Sequence, residues 1–204
     1  MSLIDKVVSA VTPMESDEAR AKARSKALAA ATEGDWLSLV LQHHRRIEAA
    51  FAAVKTAADA ANRAAALKKL AVLLTGHSIA EEAVLYPAMV KADEESRSTK
   101  AYTEQSAAKV QMGLLEDMQP MSQEYLDKLD HLRGAIAHHV YEEEGTWFLE
   151  LKQKLPAADQ TKLTFRYKEQ FARYMGQAGD GEPDHTPIPT LVSDELRGPT
   201  LRSS

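Results

Sequence analysis

One phrase occurs twice in this chain, and it restricts the folds open to the chain more than any other part of the sequence. Residues 77–86 read HSIAEEAVLY and residues 139–148 read HVYEEEGTWF, so both copies follow the pattern His-x3-Glu-Glu-x3-aromatic. On a helix, residues four positions apart lie on the same face. Each copy therefore presents an imidazole and a carboxylate on one side of a helix. Two such helices facing each other predict a metal site.

The composition favours helices packed around one core. The chain has 204 residues, of which 44% are hydrophobic and only 6% aromatic, and alanine is abundant. Alanine favours helix, whereas strands are enriched in aromatic and β-branched residues. No apolar run approaches the roughly 20 residues of a membrane span. We therefore expect an all-α protein with one main domain, and no membrane partner.

Charge and cysteine content narrow the classes of function. The net charge is -5, and basic residues are interspersed with acidic ones, so we expect no nucleic-acid partner. The absence of cysteine excludes disulfides and thiolate ligands, which leaves imidazole, carboxylate, phenolate and water for any metal. The amino-terminal stretch lacks a basic region and is interrupted by Asp5 and Lys6, which is not typical of a secretory signal. We place the protein in the cytoplasm.

Helical periodicity predicts six helices. A long helix begins at Trp36 behind the N-cap Asp35, and the next is expected to end near Pro87 because proline disrupts a helix interior. The predicted helices cover residues 14–32, 36–54, 62–86, 99–118, 122–151 and 157–175. The four long central ones, joined by short connections, predict an up-down-up-down four-helix bundle with extra N-terminal and C-terminal helices. The predicted organisation is an N-terminal helical extension (1–34), the bundle (35–155), a C-terminal helix (156–175) and a loose or wrapping tail (176–204).

Helix phase selects the polar residues that face the core. At about 100° per residue, one histidine in each of three helices falls on the apolar face, and two of these have a glutamate beside them. The selected residues are His44, His77, Glu81, His139 and Glu143. A lone core histidine or a single surface His-x3-Glu pair has an ordinary structural explanation. Two buried glutamates with three histidines do not, because buried carboxylates are costly unless a cation neutralises them.

This constellation resembles the hemerythrin-like, or HHE cation-binding, domain over about residues 36–152. That family is a four-helix bundle with a histidine in helix one, His-x3-Glu in helix two, a histidine in helix three and His-x3-Glu in helix four. The resemblance implies two non-haem iron ions and no haem, with manganese or zinc compatible by ligand type. It also implies that Glu81 and Glu143 bridge the ions while the histidines are terminal ligands.

The third bundle helix departs from the family pattern, because no histidine lies between residues 101 and 118. Helix phase places Glu104 closer than Gln105 to the centre of the apolar stripe. Glu104 is therefore the preferred replacement ligand and Gln105 the alternative, while a third reading leaves the position open to water. An anionic ligand in place of histidine would lower the iron potential. That change would favour peroxide or redox chemistry over reversible O2 carriage.

The resemblance implies a small gaseous or peroxide ligand, namely O2, peroxide or nitric oxide. The main hypothesis is a di-iron protein that binds or reduces such an oxidant in oxidative or nitrosative stress defence. The alternative is an iron or O2 sensor that signals through the flanking helices, and the third is a structural bundle without functional metal. Catalysis and oligomeric state, including a homo-oligomer, stay open. Three tyrosines are candidate hydrogen-bond or redox partners of the site, namely Tyr86, Tyr102 and Tyr141.

Overall fold

The computed structural model describes residues 15–178, and within that range the chain forms six helices and no strand. Two of the helices contain a wider, π-helical turn, in which backbone N–H groups bond five residues back rather than four. The helices are α1 (Asp17–Ala30), α2 (Trp36–Thr56), α3 (Ala60–Ala80, with a π turn at Glu81–Leu85 and a continuation at Tyr86–Lys91), α4 (Glu95–Glu116), α5 (Gln123–Glu142, with a π turn at Glu143–Trp147 and a continuation at Phe148–Lys154) and α6 (Ala157–Ala178).

Side-chain caps explain where several helices begin. Asp35 caps α2 as predicted, and its carboxylate accepts hydrogen bonds from the backbone of Ser38 at 2.8 Å and from Lys152 at 2.6 Å. Asp59 and Ser122 cap α3 and α5 in the same way. These caps satisfy backbone donors that have no partner within the first turn of a helix.

The four long helices alternate in direction. At one end of the bundle, the buried Arg63 near the start of α3 donates to the carbonyl of Val54, near the end of α2, at 3.2 Å. The same side chain donates to the carbonyl of Pro120, between α4 and α5, at 2.7 Å. Near the other end, Ser98 at the start of α4 donates to the carbonyl of Tyr86 in α3 at 3.1 Å. The predicted all-α, up-down bundle is confirmed.

Several predicted helix boundaries differ from the structure by three to five residues, and two of them concern the ends of α3 and α6. The second bundle helix does not end at Pro87 but continues to Lys91. Pro87 is the second residue of the α-helical segment that follows the π turn, and a missing N–H is tolerated in this first turn. The last helix was expected to end before Gly176, whereas it reaches Ala178. The remainder of the predicted tail, residues 179–204, lies outside the described residues.

A polar layer separates two apolar clusters in the core. One cluster contains Trp36 and Phe148, whose rings pack edge to face with centroids 5.7 Å apart. The other contains Phe51 and Leu129. In α2, the first cluster extends to Leu41 and the second starts at Ile47, and the other three bundle helices divide in the same way. The predicted ligands occupy the gap between the clusters.

Helices α1 and α6 pack on the outside of the bundle. α1 lies against the π turn of α5, while α6 lies along α3 and α2. Gly76 allows close approach of α6, because a Cβ atom at this position would lie 3.0 Å from Cδ1 of Tyr174 and 3.2 Å from Sδ of Met175. Within residues 15–178, no helix combines the length and the apolarity that a bilayer span requires.

Candidate metal centre

Four predicted ligands come together in the polar layer. His44, His77, Glu81 and Glu143 each place one ligand atom within 4.8 Å of the others, and all four side chains are buried. α2 supplies the first, α3 the next two and α5 the last. Because metal–ligand bonds with imidazole and carboxylate are about 2.0–2.2 Å long, four donors this close can surround one ion. We call this cluster the first metal position.

Three donor atoms of the first metal position lack a hydrogen-bond partner among the described residues. His44 Nε2, Glu81 Oε1 and Glu143 Oε2 are buried and accept or donate no hydrogen bond among the described residues. His44 Nε2 lies 3.3 Å from Glu143 Oε2 and 4.0 Å from Glu81 Oε1. A buried polar atom without a partner costs free energy. Three such atoms converging on one point fit a cation that all of them would bind.

A second set of donors converges on the hydroxyl of Tyr86. The Tyr86 Oη atom lies 3.1 Å from His139 Nε2, 3.0 Å from Glu143 Oε1 and 3.3 Å from Glu81 Oε2. Tyr86 is fully buried. The distance from His139 Nε2 to Glu143 Oε1 is 3.2 Å. We call these four residues (Tyr86, Glu81, His139 and Glu143) the second metal position.

The π turn of α3 brings Tyr86 to this position. Tyr86 donates its backbone N–H to the carbonyl of Glu81, five residues back. In a π turn, residues five apart stack as residues four apart do in an α-helix. The phenol ring therefore lies on the same side of α3 as the Glu81 carboxylate. The second copy of the repeat carries Phe148 at this place, so it offers no equivalent hydroxyl.

Glu143 contacts both metal positions. Its Oε2 atom faces His44 at 3.3 Å and its Oε1 atom faces His139 at 3.2 Å. Glu81 likewise places Oε2 3.3 Å from His77 and 3.3 Å from Tyr86. A carboxylate such as Glu143, which turns its two oxygens to two different histidines, has the geometry of a bridging ligand.

The structure corrects the expected phase of α4. Gln105, not Glu104, faces the carboxylates, and its Nε2 atom donates to Glu81 Oε2 and to Tyr86 Oη, both at 2.6 Å. Glu104 lies at the edge of the bundle and accepts from Nδ1 of His139 at 2.8 Å. It is therefore behind His139 rather than among the donors. Helix phase misplaced Glu104 and Gln105 because the apolar stripe of α4 consists largely of alanine and methionine. These residues define the centre of the stripe poorly.

Each ligand histidine has a separate partner on its Nδ1 atom. His44 Nδ1 lies 2.8 Å from Glu144, and His139 Nδ1 lies 2.8 Å from Glu104. His77 Nδ1 lies 3.1 Å from the hydroxyl of Tyr167 in α6. A partner on Nδ1 fixes the ring orientation and leaves Nε2 for the metal. All three imidazoles are thus oriented toward the polar layer.

The electrostatics of the cluster call for positive charge. Burial raises the pKa of Glu81 well above its usual value, and the charge of Glu143 adds to the effect. Burial lowers the pKa of His44, but the Glu143 and Glu144 carboxylates beside its two ring nitrogens outweigh it and raise the value to about 9. Burial lowers the pKa of His77 well below the usual range, so this ring is neutral. A neutral imidazole is the form that binds a metal.

A small cavity of about 10 Å³ lies beside the second metal position. It has room for about one water molecule. Its polar lining consists of His77, Ser78, Gln105, Lys109 and His139, and its apolar lining includes Ile47 and Leu74. Only a ligand of a few atoms would fit there without rearrangement of the bundle.

Sequence reasoning missed two residues of the site. Glu144 is buried, although Glu82, which occupies the same position in the other copy of the repeat, is half-buried and pairs with Lys109. The π turn of α5 changes the directions of side chains 143–147, and a calculation at 100° per residue does not include this change. Tyr167 was overlooked because it lies outside the bundle, although its four-residue spacing from Leu163 and Phe171 marks an apolar face.

The remaining candidates lie outside the cluster. Tyr102 is partly exposed and donates to the carbonyl of Glu82 at 2.6 Å, and Tyr141 is half-buried. His138 is also outside, and pairs with Glu15 at 2.8 Å. Of the three tyrosines predicted to serve the site, only Tyr86 contacts the ligands in the described part of the chain.

An antiparallel helical bundle with buried histidines and carboxylates between its helices is a cation-binding protein. The model of the hemerythrin HHE cation binding domain matches residues 37–151, and the chain belongs to this family. A protein of Nostoc sp. (strain PCC 7120 / SAG 25.82 / UTEX 2576) described as a DNA nickase is similar, with 33% identity over 89 residues. The match covers 44% of this chain but only 25% of that relative. No solved structure matches the chain significantly.

Proposed function

We propose that this chain is a non-haem di-iron protein that binds or reduces a small oxidant, namely O2, peroxide or nitric oxide. Its cellular role would be in oxidative or nitrosative stress defence. The observation that carries the proposal is the position of Glu143, whose two oxygens face His44 and His139 separately at 3.3 and 3.2 Å. This arrangement supports two ions joined by a carboxylate, and the ligand types suit iron, with manganese or zinc compatible.

The residues divide between the two metal positions. His44 and His77 would hold the first ion, and His139 with Tyr86 the second, with Glu81 and Glu143 between them. Bound iron supplies the ferrous–ferric couple and an open coordination place for the oxidant. Tyr86 would be the oxygen ligand that the sequence analysis expected Glu104 to be. Its hydroxyl lies beside His139 and Glu143, whereas the Glu104 carboxylate does not lie among the donors. Glu104 strengthens His139 as a donor by accepting from its Nδ1.

The cavity supports a ligand of few atoms. Its volume of about 10 Å³ is close to the minimum for one water molecule. His139 and Gln105 border it, so a diatomic molecule or peroxide entering there would approach the second metal position. Larger organic substrates would require the bundle helices to separate.

Metal analysis tests the proposal directly. Protein purified without chelators or added metal should contain two iron ions per chain, and its absorption spectrum should change on adding O2 and then peroxide. His77→Ala and His139→Ala should each lower the iron content, while His131→Ala, which alters an exposed histidine of α5, should not. Metal-free protein with unchanged fold and stability in both ligand variants would favour a purely structural bundle.

One observation favours the sensor alternative. Tyr167 of the appended helix α6 contacts the ligand His77 at 3.1 Å, so the metal site and a helix outside the bundle are joined by a hydrogen bond. A sensor would show metal-dependent movement of α6 without turnover of the oxidant. Comparison of turnover with hydrogen exchange in α6 separates the two functions.

DNA nicking does not follow from the similarity to the Nostoc protein. The chain spans about a quarter of that relative's length, and its own charge of -5 offers no basic footprint for DNA.

A further inference from the structure

Helix α6 is held against the bundle by one deeply buried side chain. Among its described side chains (residues 157–176), Tyr167 is the single buried residue, and it is fully buried. Phe171, one turn later, is half-buried and stacks on the imidazole of His43 with ring centroids 3.9 Å apart. A helix attached through so few buried groups opens at lower free energy than the core helices.

The hydroxyl of Tyr167 joins two histidines of different helices. It lies 3.1 Å from Nδ1 of His77 in α3 and 2.9 Å from Nδ1 of His43 in α2. His43 and His77 are themselves in edge-to-face contact, with centroids 5.9 Å apart. The three rings thus form a buried hydrogen-bonded chain that runs from the metal centre to α6.

The direction of these hydrogen bonds follows from metal binding. A histidine that binds a metal through Nε2 carries its proton on Nδ1, so His77 must donate to the oxygen of Tyr167. The phenol proton is then available to His43, whose Nδ1 accepts it. Metal at the first position therefore selects one arrangement of the whole chain. Without that selection the protons of the three groups have more than one arrangement, and the bonds that hold α6 are less defined.

We propose that Tyr167 is the positioning residue for His77, and that it couples the docking of α6 to occupancy of the first metal position. The inference rests on the proposed metal centre. Because coupling is reciprocal, the metal tightens α6 against the bundle, and α6 in turn strengthens metal binding. An appended helix thereby becomes part of the metal site through one hydroxyl group.

Tyr167→Phe tests the coupling, because it keeps the buried ring and removes only the hydroxyl. We expect its dissociation constant for Fe(II), measured by chelator competition, to rise by about 10- to 100-fold. Tyr174→Phe is the matched control. Tyr174 lies on the same helix as Tyr167, but its ring packs beside Gly76 of α3 rather than on a histidine. The control should keep wild-type affinity. Circular dichroism establishes that both variants are folded.

Hydrogen exchange gives a second readout that does not depend on activity. In the wild-type protein, Fe(II) should slow amide exchange in residues 164–176, and in Tyr167→Phe this protection should be largely lost. His43→Phe keeps an aromatic ring against Phe171 and removes the acceptor of the Tyr167 proton, so it should weaken the protection as well. If Tyr167→Phe does not fold, the loss of metal-dependent protection in His43→Phe tests the coupling in its place.

The outcomes separate the inference from the proposed function. Wild-type protein that takes up no metal overturns both. Metal uptake with equal affinity in wild type and Tyr167→Phe, and with exchange in α6 that ignores the metal, overturns the coupling alone. Reduced affinity in Tyr167→Phe with unchanged affinity in Tyr174→Phe supports it.

Discussion

The Glu144 carboxylate lies 2.8 Å from Nδ1 of His44, a residue 100 positions away in the sequence. Arg24 of α1 holds the far side of this carboxylate, with its Nε 3.0 Å from Oε2 and its Nη2 2.9 Å from Oε1. The same guanidinium binds Glu48 of α2 at 2.8 Å. Arg24 of α1 is therefore joined through Glu144 to the predicted ligand His44, and Tyr167 of α6 is joined directly to the predicted ligand His77.

Arg24→Gln should weaken metal binding at the first position. Without the guanidinium, Glu144 has one charged partner fewer and can turn away from His44, so we expect the metal dissociation constant to rise by up to about tenfold. Chelator competition measures it. Arg20→Gln is the control on the same helix, because Arg20 pairs with Asp17 of α1 instead of with the site. Equal losses in both variants would contradict a specific role for Arg24.

Tyr86→Phe should lower the metal content from two ions per chain toward one. The substitution removes the hydroxyl that lies among the donors of the second metal position and leaves the first position intact. Any absorption band of a phenolate bound to ferric iron should disappear with it. Tyr102→Phe is a close control, since the two rings touch with centroids 5.1 Å apart but the Tyr102 hydroxyl bonds a backbone carbonyl. Two retained ions and an unchanged spectrum in Tyr86→Phe would remove tyrosine from the donor set.

Gly113→Ala and Gly76→Ala should change stability in opposite directions. Both glycines lie within helices, where alanine is favoured over glycine by about 0.5–1 kcal/mol. A Cβ atom at Gly113 meets nothing within 4 Å, so this variant should gain that amount. At Gly76 the new atom would lie 3.0 Å from the ring of Tyr174, and overpacking costs about 1–3 kcal/mol. Urea unfolding of the two variants provides the comparison, and a stabilised Gly76→Ala would show that α6 gives way easily.

Asp35→Asn should destabilise the protein at neutral pH, with a difference that disappears in acid. Burial raises the pKa of Asp35. The hydrogen bonds from Lys152 and from the backbone of Ser38 and Thr32 have the larger, opposite effect, so the pKa lies below its usual value. A lowered carboxyl pKa stabilises the fold above the unfolded-state value of about 3.9, and this contribution is lost as pH falls through the folded-state value.

Asparagine keeps one oxygen for the cap at position 35 and removes the charge together with the second oxygen, which accepts from Thr32 and Lys152. Asp35→Ala also removes the cap, at a cost of about 0.5–2 kcal/mol. Denaturant unfolding at pH 7 and at about pH 3 should therefore show Asp35→Asn approaching wild type in acid. Asp35→Ala should stay less stable at both values. A pH-independent gap for the asparagine variant would contradict the charge contribution.

The sequence predicted most of the fold and five of the residues that the structure brings together in the site, for reasons that particular residues illustrate. His44, His77, Glu81 and Glu143 lie on regular apolar stripes, so the helical period alone brings them to one layer. Contacts set by the tertiary structure were not predictable in this way. Glu144 depends on a π turn, and Tyr167 on the packing of a helix outside the bundle.

Gln105 shows a third limit of the same reasoning. Its helix has mostly small residues on the inward face, so the hydrophobic period leaves the orientation uncertain by about one residue. Only the contacts of Gln105 with Glu81 and Tyr86 settle which of two neighbouring polar side chains faces the carboxylates.

The π turn at Glu81–Leu85 holds one residue more than an α-helical turn, and it places Tyr86 above Glu81. If these residues formed an ordinary α-helix with none of them removed, everything that follows would rotate by about 100°. Tyr86 would then leave the site, and Met89 would leave the core with it. The wider turn of this five-residue stretch therefore sets which side of α3 carries Tyr86 and Met89.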